Sequence, residues 1–142
     1  MQIDRSKSLQ QLEIDDWGEP ECDDPLITEP YRLHRVPLRD LTVEDLRMMI
    51  AMGIGLEYLI PTSLERLHDH PFAWSSPYPC DLLVTVLAVE RRFWQGHPDL
   101  REQVAAVADR DIAAFRSGSI VGYDMVAQAI ITAYEKFKRV DN

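Results

Sequence analysis

The sequence predicts an all-α fold: a single domain of about five helices carrying an acidic, proline-rich N-terminal arm. Three observations lead there. Apolar residues recur at helical spacing behind recognisable caps, no segment alternates apolar and polar long enough to insist on a strand, and prolines and glycines fall where helices should begin or end. A chain of 142 residues, 46% of them hydrophobic, can bury one core but is short for two. The domain is therefore taken as residues 1–142, with an extended acidic arm at 1–40 and a helical core at 41–142.

The elements follow in chain order. A short helix fits around Ser8 to Leu12. Between Asp15 and Pro37, the prolines at 20, 25, 30 and 37 rule out one continuous helix and point to an extended, stiffened arm. "LTVEDLRMMIAMGIG" then opens a helix with Thr42 as N-cap and Asp45 three residues on, a capping-box spacing. Val43, Leu46, Met49 and Ile50 share a face of it, and Gly53 and Gly55 stop it. A second core helix spans about Glu57 to His68, with Pro61 starting or kinking it, and "HPFAWSSPYPCD" reads as an ordered, aromatic loop. The third, Asp81 to Trp94, begins with an acid at the favourable end of the dipole and is apolar almost all round until Glu90, which marks it as the central helix. Gly96 and His97 end it, Pro98 opens a fourth that Gly118 closes, and a fifth runs from about Ser119 or Tyr123 to Lys138. Lys136, Lys138 and Arg139 suit the C-terminus of that last helix.

The net charge of −9 is unevenly spread. Residues 1–31 hold nine acids (Asp4, Glu13, Asp15, Asp16, Glu19, Glu21, Asp23, Asp24, Glu29) against Arg5 and Lys7, a net of −7; the remaining 111 residues hold fifteen acids against thirteen bases. A field of that sign argues against direct binding to nucleic acid and for a basic partner. The longest apolar run, "LLVTVLAV", is far below the roughly 20 residues of a membrane span, and "MQIDRSKSLQQ" has no apolar signal core, so no membrane contact and a cytoplasmic location are expected. Cys22 and Cys80 suggest no disulfide framework and are read as thiols, though two distant cysteines can pair.

Chemistry-bearing residues are sparse in pattern. His68, His70, Cys80 and His97 match no standard zinc spacing, and the i, i+2 histidines would point to different faces of a helix; they read as surface and loop histidines, with no metal and no cofactor expected. Acids are plentiful, but the dense ones lie where nothing supplies a base or metal partner, and no GxSxG, P-loop, Rossmann or HExxH pattern occurs, so no catalytic residue is assigned. Arg91 and Arg92 beside Phe93 and Trp94 form a basic aromatic patch on paper. Helical spacing instead places Trp94 on the buried face with Leu87 and the arginines in solvent. Met48, Met49 and Met52 read as core.

The acidic arm has two readings, a solvated face or a binding surface. Trp17, Leu26, Ile27 and Tyr31 among the acids favour an ordered arm, since disordered acidic segments are poor in such residues.

Four blocks carry a resemblance: "KSLQQLEIDDWGEP", "RVPLRDLTVEDLRMMIAMGIGLEYLIPTSLERL", "YPCDLL" and "FWQGHPDL". In this order, over roughly residues 7 to 100, they resemble the immunity proteins of bacterial contact-dependent growth inhibition (CDI) systems. The resemblance implies a small cytoplasmic inhibitor, not an enzyme, that binds the C-terminal toxin domain of a delivered effector one to one. Such toxins are commonly nucleases with a basic surface, which an acidic inhibitor matches in charge. It also implies that Trp17 packs the arm onto the helices while Gly18 and Pro20 shape the turn; a fully buried Trp17 would make Trp17→Ala cost ~3–5 kcal/mol. The acids Glu19, Glu21, Asp23, Asp24 and Glu29 are the expected toxin contacts. Glu57 stands where the family favours Pro, Cys80 where it favours Gly, and "FAWSSPY" replaces a more acidic stretch. That divergent loop adds Trp74 to the expected contacts. An acidic helical adaptor for another basic protein is the alternative, separated from the first reading by the absence of a neighbouring toxin gene.

Overall fold

The structure, a computed structural model, describes residues 3–69, 81–117 and 124–139. These residues form α1 (Leu9–Glu13), α2 (Pro25–His34), a 3₁₀ turn (Leu38–Asp40), α3 (Val43–Ala51), α4 (Leu56–Asp69), α5 (Asp81–Leu87), α6 (Arg91–Gly96), α7 (Pro98–Arg116) and α8 (Asp124–Arg139). No strand occurs among them; one isolated antiparallel bridge joins Ser8 to Pro37. The all-α class predicted from the sequence is the observed one.

Local chemistry explains where the helices begin. Ser8 and Gln11 form a capping box on α1: the Ser8 Oγ accepts from the Gln11 N–H, and the Gln11 Oε1 accepts from the Ser8 N–H at 2.9 Å. Thr42 and Asp45 do the same on α3 at 3.0 Å in both directions, as their spacing predicts. Past α3, Gly53 and Gly55 adopt φ of +73° and +60°, the left-handed backbone that turns the chain into α4. At Gly55 the backbone also runs against Leu9: a Cβ there would sit 2.7 Å from both Leu9 methyl carbons.

Short α5 is the centre. Its Leu82, Leu83 and Val86 are fully buried, and it packs against α3, α4, α7 and α8. Around it, α7 lies on α4 and α8, and the core closes with Leu46, Met49, Leu59, Ile60, Leu67, Val104, Ala108, Ile130 and Phe137. Arg110 on α7 donates from one terminal nitrogen to the Leu67 carbonyl at 2.6 Å and from the other to the His68 carbonyl at 3.3 Å, a cation at the C-terminal end of α4 where the dipole favours one.

Three expectations are corrected. The extended arm is extended only in part: residues 25–34 are helical, because Asp24 accepts the Leu26 N–H at 3.0 Å as N-cap and Pro25 stands at the first helical position, where a missing N–H costs nothing. Leu9, Leu33 and Leu38 of this region are fully buried in the core. The helix expected over Asp81 to Trp94 is two helices. The chain tightens at Ala88 and Val89, and Glu90 is extended (φ −50°, ψ 138°), which turns Trp94 inward to 2% exposure with its indole N–H donating to the Val89 carbonyl at 3.1 Å. Met52, expected in the core, is half exposed just past α3. Pro61, by contrast, sits inside α4 without ending it. The loop containing Trp74 and most of the expected opening of the last helix lie outside the described residues.

Candidate functional site

The acidic segment is fixed to the body by a small aromatic and ionic clamp. His34, in the last turn of α2, is fully buried. Its Nε2–H donates to the Glu13 carboxylate at 2.8 Å, tying the end of α1 to the end of α2. Trp17 lies flat on the His34 ring, centroids 3.8 Å apart and planes 12° from parallel, and meets Tyr31 edge-on at 5.4 Å. Between them the chain must reverse. Ile14 takes a left-handed conformation (φ 52°) as the cap of α1, and Gly18 (φ 74°) turns with its N–H donating to the Asp16 carboxylate at 2.8 Å.

Arg35 closes the turn from the other side. One terminal nitrogen donates to the Gly18 carbonyl at 2.6 Å and the other to Glu19 at 3.2 Å. The Tyr58 hydroxyl, from α4, reaches the Leu12 carbonyl at 3.4 Å. The segment is thus held at both ends, with Ser8 bridged to Pro37 and the 13–19 stretch clamped on α2.

All of the site residues predicted from the sequence except Trp74 can now be placed. Trp17 is half-buried on α2, less covered than the full burial considered for it, and Gly18 forms the turn. Glu19 is exposed beside Arg35. Glu21 and Asp23 are exposed and form no ion pair among the described residues. Asp24 is spent as the N-cap of α2. Glu29 is gripped by Arg32 through Nε at 3.1 Å and through a terminal nitrogen, which holds its carboxyl below the ordinary carboxylate range. Trp74 falls outside the described residues. Glu19 to Asp24 therefore share one exposed stretch, while Glu29 sits further along α2.

The sequence did not single out Glu13, His34 and Arg35, the groups that do the clamping. Nor did it show that Ile14, Leu26 and Ile27 stand in solvent, at 91%, 76% and 47% exposure. A helical reading of "DPLITEPYRLH", with Asp24 as cap and Pro25 at the first position, would have set His34 on the same stripe as Ile27 and Tyr31, but no local pattern pairs it with Glu13.

Elsewhere a cleft between α4 and α7 is lined by Arg5, Glu57, Glu65, His68, His97 and Asp99, so two of the candidate metal histidines do share a surface. Arg5 is ion-paired with Glu65 there, and the His97 ring stacks on Phe93 while its Nδ1–H donates to the Phe93 carbonyl at 2.9 Å. No group of three or more His, Cys, Asp or Glu side chains that could hold a metal occurs among the described residues. Cys22 is an exposed free thiol. No helix is long and apolar enough to cross a membrane among the described residues.

Against known families, the model for CDI immunity proteins matches residues 11–104, which is 94 of the 142 positions and includes the clamp, the acidic stretch and α3 to α6. The chain belongs to the CDI immunity proteins. No curated protein and no solved structure matches it. For a CDI immunity protein the geometry has a plain reading: the matched region contains both the packing that orders the arm and the acids the arm presents. Most of α7 and all of α8 fall outside the match, and they complete the core around α5 through Val107, Ala108, Ile112, Ile130 and Phe137.

Proposed function

We propose that this immunity protein binds the C-terminal toxin domain of a CDI effector in the cytoplasm, one to one and without catalysis, and that the toxin is a basic nuclease. The observation that carries the reading is an acidic segment held in place: nine acids against two bases in residues 1–31, anchored by the Trp17–His34 stack and Arg35. A charge run left in solvent gains nothing from such a clamp. A fixed one presents its carboxylates with little entropy left to lose on binding.

The acids then divide by how much charge they have free. Glu21 and Asp23 project unneutralised and supply most of the attraction toward the phosphate-binding surface of a nuclease. Glu19 and Glu29 share theirs with Arg35 and Arg32, and Asp24 serves its helix. Trp74 joins the contact set as an aromatic anchor from the divergent loop. Occupying a basic cleft with fixed carboxylates denies it to nucleic acid, which is inhibition by charge and shape with no bond made or broken.

The test is survival. Cells induced to express the toxin domain encoded beside this gene should grow when this chain is co-expressed and stop growing without it. Growth arrest in both cultures, with the chain present and folded, would overturn the reading.

A further inference from the structure

The acidic segment also carries exposed apolar residues. Among the described residues the large hydrophobics in solvent are Ile14, Leu26, Ile27 and Met52, and three of these four lie within the acidic first 31 residues. A merely solvated face would not collect them. The position of Leu26 and Ile27 on α2 is more telling than their exposure. Leu26, Pro30 and Leu33 succeed one another at i, i+4 and i+7, one stripe of a helix; Pro30 and Leu33 are buried and Leu26 is 76% exposed. Ile27, Tyr31 and His34 make the neighbouring stripe, passing from exposed through half-buried to fully buried. The apolar face of α2 is thus continuous, and the helix carries its first turn beyond the body that covers the rest.

We propose that this overhanging turn, Leu26 and Ile27, is the apolar anchor of the toxin interface, seated in an apolar pocket ringed by Lys and Arg on the toxin domain. The proposal rests on the immunity reading above and deepens it. Charge complementarity selects the occupant: Glu21 and Asp23, exposed and outside any ion pair among the described residues, precede the turn with Glu19 and Asp24 beside them, so a surface that covers it meets negative charge, which a basic rim around an apolar pocket complements. A second copy of this chain would bring four more acids to the same place. The turn is also rigid, since α2 is capped by Asp24 at its start and pinned through His34 and Arg35 at its end.

The two groups of residues then act on different rates. Acids draw the partner in and govern association, whereas the buried anchor governs how long it stays. Binding kinetics of the purified toxin domain against the full chain separate them. Leu26→Ala/Ile27→Ala should raise the dissociation rate tenfold or more and leave the association rate within about twofold. Glu21→Gln/Asp23→Asn should slow association and flatten its dependence on salt. Gln128→Ala, on α8, is the control and should change neither. Leu26→Gln preserves helix propensity and side-chain length, and should raise the dissociation rate in the same direction should the double variant melt early. If the wild-type chain binds and both Leu26 variants dissociate at the wild-type rate, the anchor assignment is overturned while the immunity reading stands. If the wild-type chain does not bind the toxin domain, both fall.

Discussion

Trp17 illustrates how much of a residue's role depends on what lies beneath it. Its ring covers His34, a fully buried imidazole whose partner is Glu13, so removing the indole opens that pair to water as well as losing its own contacts. Because Trp17 is half-buried, Trp17→Ala should cost about 2 kcal/mol, below the range for a fully buried Trp, read as a lowered urea midpoint. An unchanged midpoint would remove its packing role and leave it as surface. Gly55→Ala should be worse per atom added: the new methyl meets two Leu9 methyl carbons at 2.7 Å at a positive φ, and a loss of about 2–3 kcal/mol is expected by the same assay. Asp111 adds a pH signature. Its carboxyl is buried, with one oxygen accepting from Arg110 at 3.1 Å and the other without a partner. Burial pushes its pKa up, with Arg110 opposing. A carboxyl that holds its proton more tightly folded than unfolded favours folding at low pH, and that contribution is lost as pH rises from the ordinary carboxylate value through the raised one. Asp111→Asn lacks it, so the wild type should lose stability relative to the variant as pH rises above the ordinary carboxylate range; parallel stability curves would contradict this. Of these residues only Trp17 and the stopping glycines stood out in the sequence. His34 and Asp111 are ordinary letters until burial singles them out.

At the scale of elements, short-range chemistry was legible and long-range bending was not. The Thr42–Asp45 box, the Gly53 and Gly55 stop and the Pro98 start all appear as their spacing implies. The α2 helix was misread because four prolines in 23 residues suggest an extended chain, although a proline directly after an Asp cap opens a helix as readily as it breaks one. Asp24→Ala should therefore melt the first turn of α2 at a cost of about 1 kcal/mol and weaken toxin binding by disordering Leu26 and Ile27. Hydrogen exchange at Leu26 to Thr28 checks the first half, and unchanged protection there would contradict it. The division of α5 from α6 was hidden for another reason: the break at Ala88 to Glu90 is dictated by where Trp94 must go, and Trp94 is placed by Phe137 of α8, 5.3 Å away edge-to-face and more than forty residues on. No local pattern encodes that.

The whole molecule is a nearly neutral helical body bearing one acidic face, and that asymmetry was the most informative thing in the sequence. It argued against nucleic acid as a direct ligand, suggested a basic partner and agreed with the CDI immunity family to which the chain belongs. What the sequence left hidden is that the segment has a fixed shape, because two of its fixing groups, His34 and Arg35, lie far along the chain from the turn they hold. A fixed acidic face predicts association that slows as ionic strength rises, since exposed charges are screened over about 8–10 Å near physiological salt. The most direct measurement of the central claim is a calorimetric titration of the purified toxin domain with this chain. The account predicts a single saturating transition at one equivalent, weaker at 0.5 M salt than at 0.1 M, and the absence of any binding heat across temperatures by folded protein would contradict it.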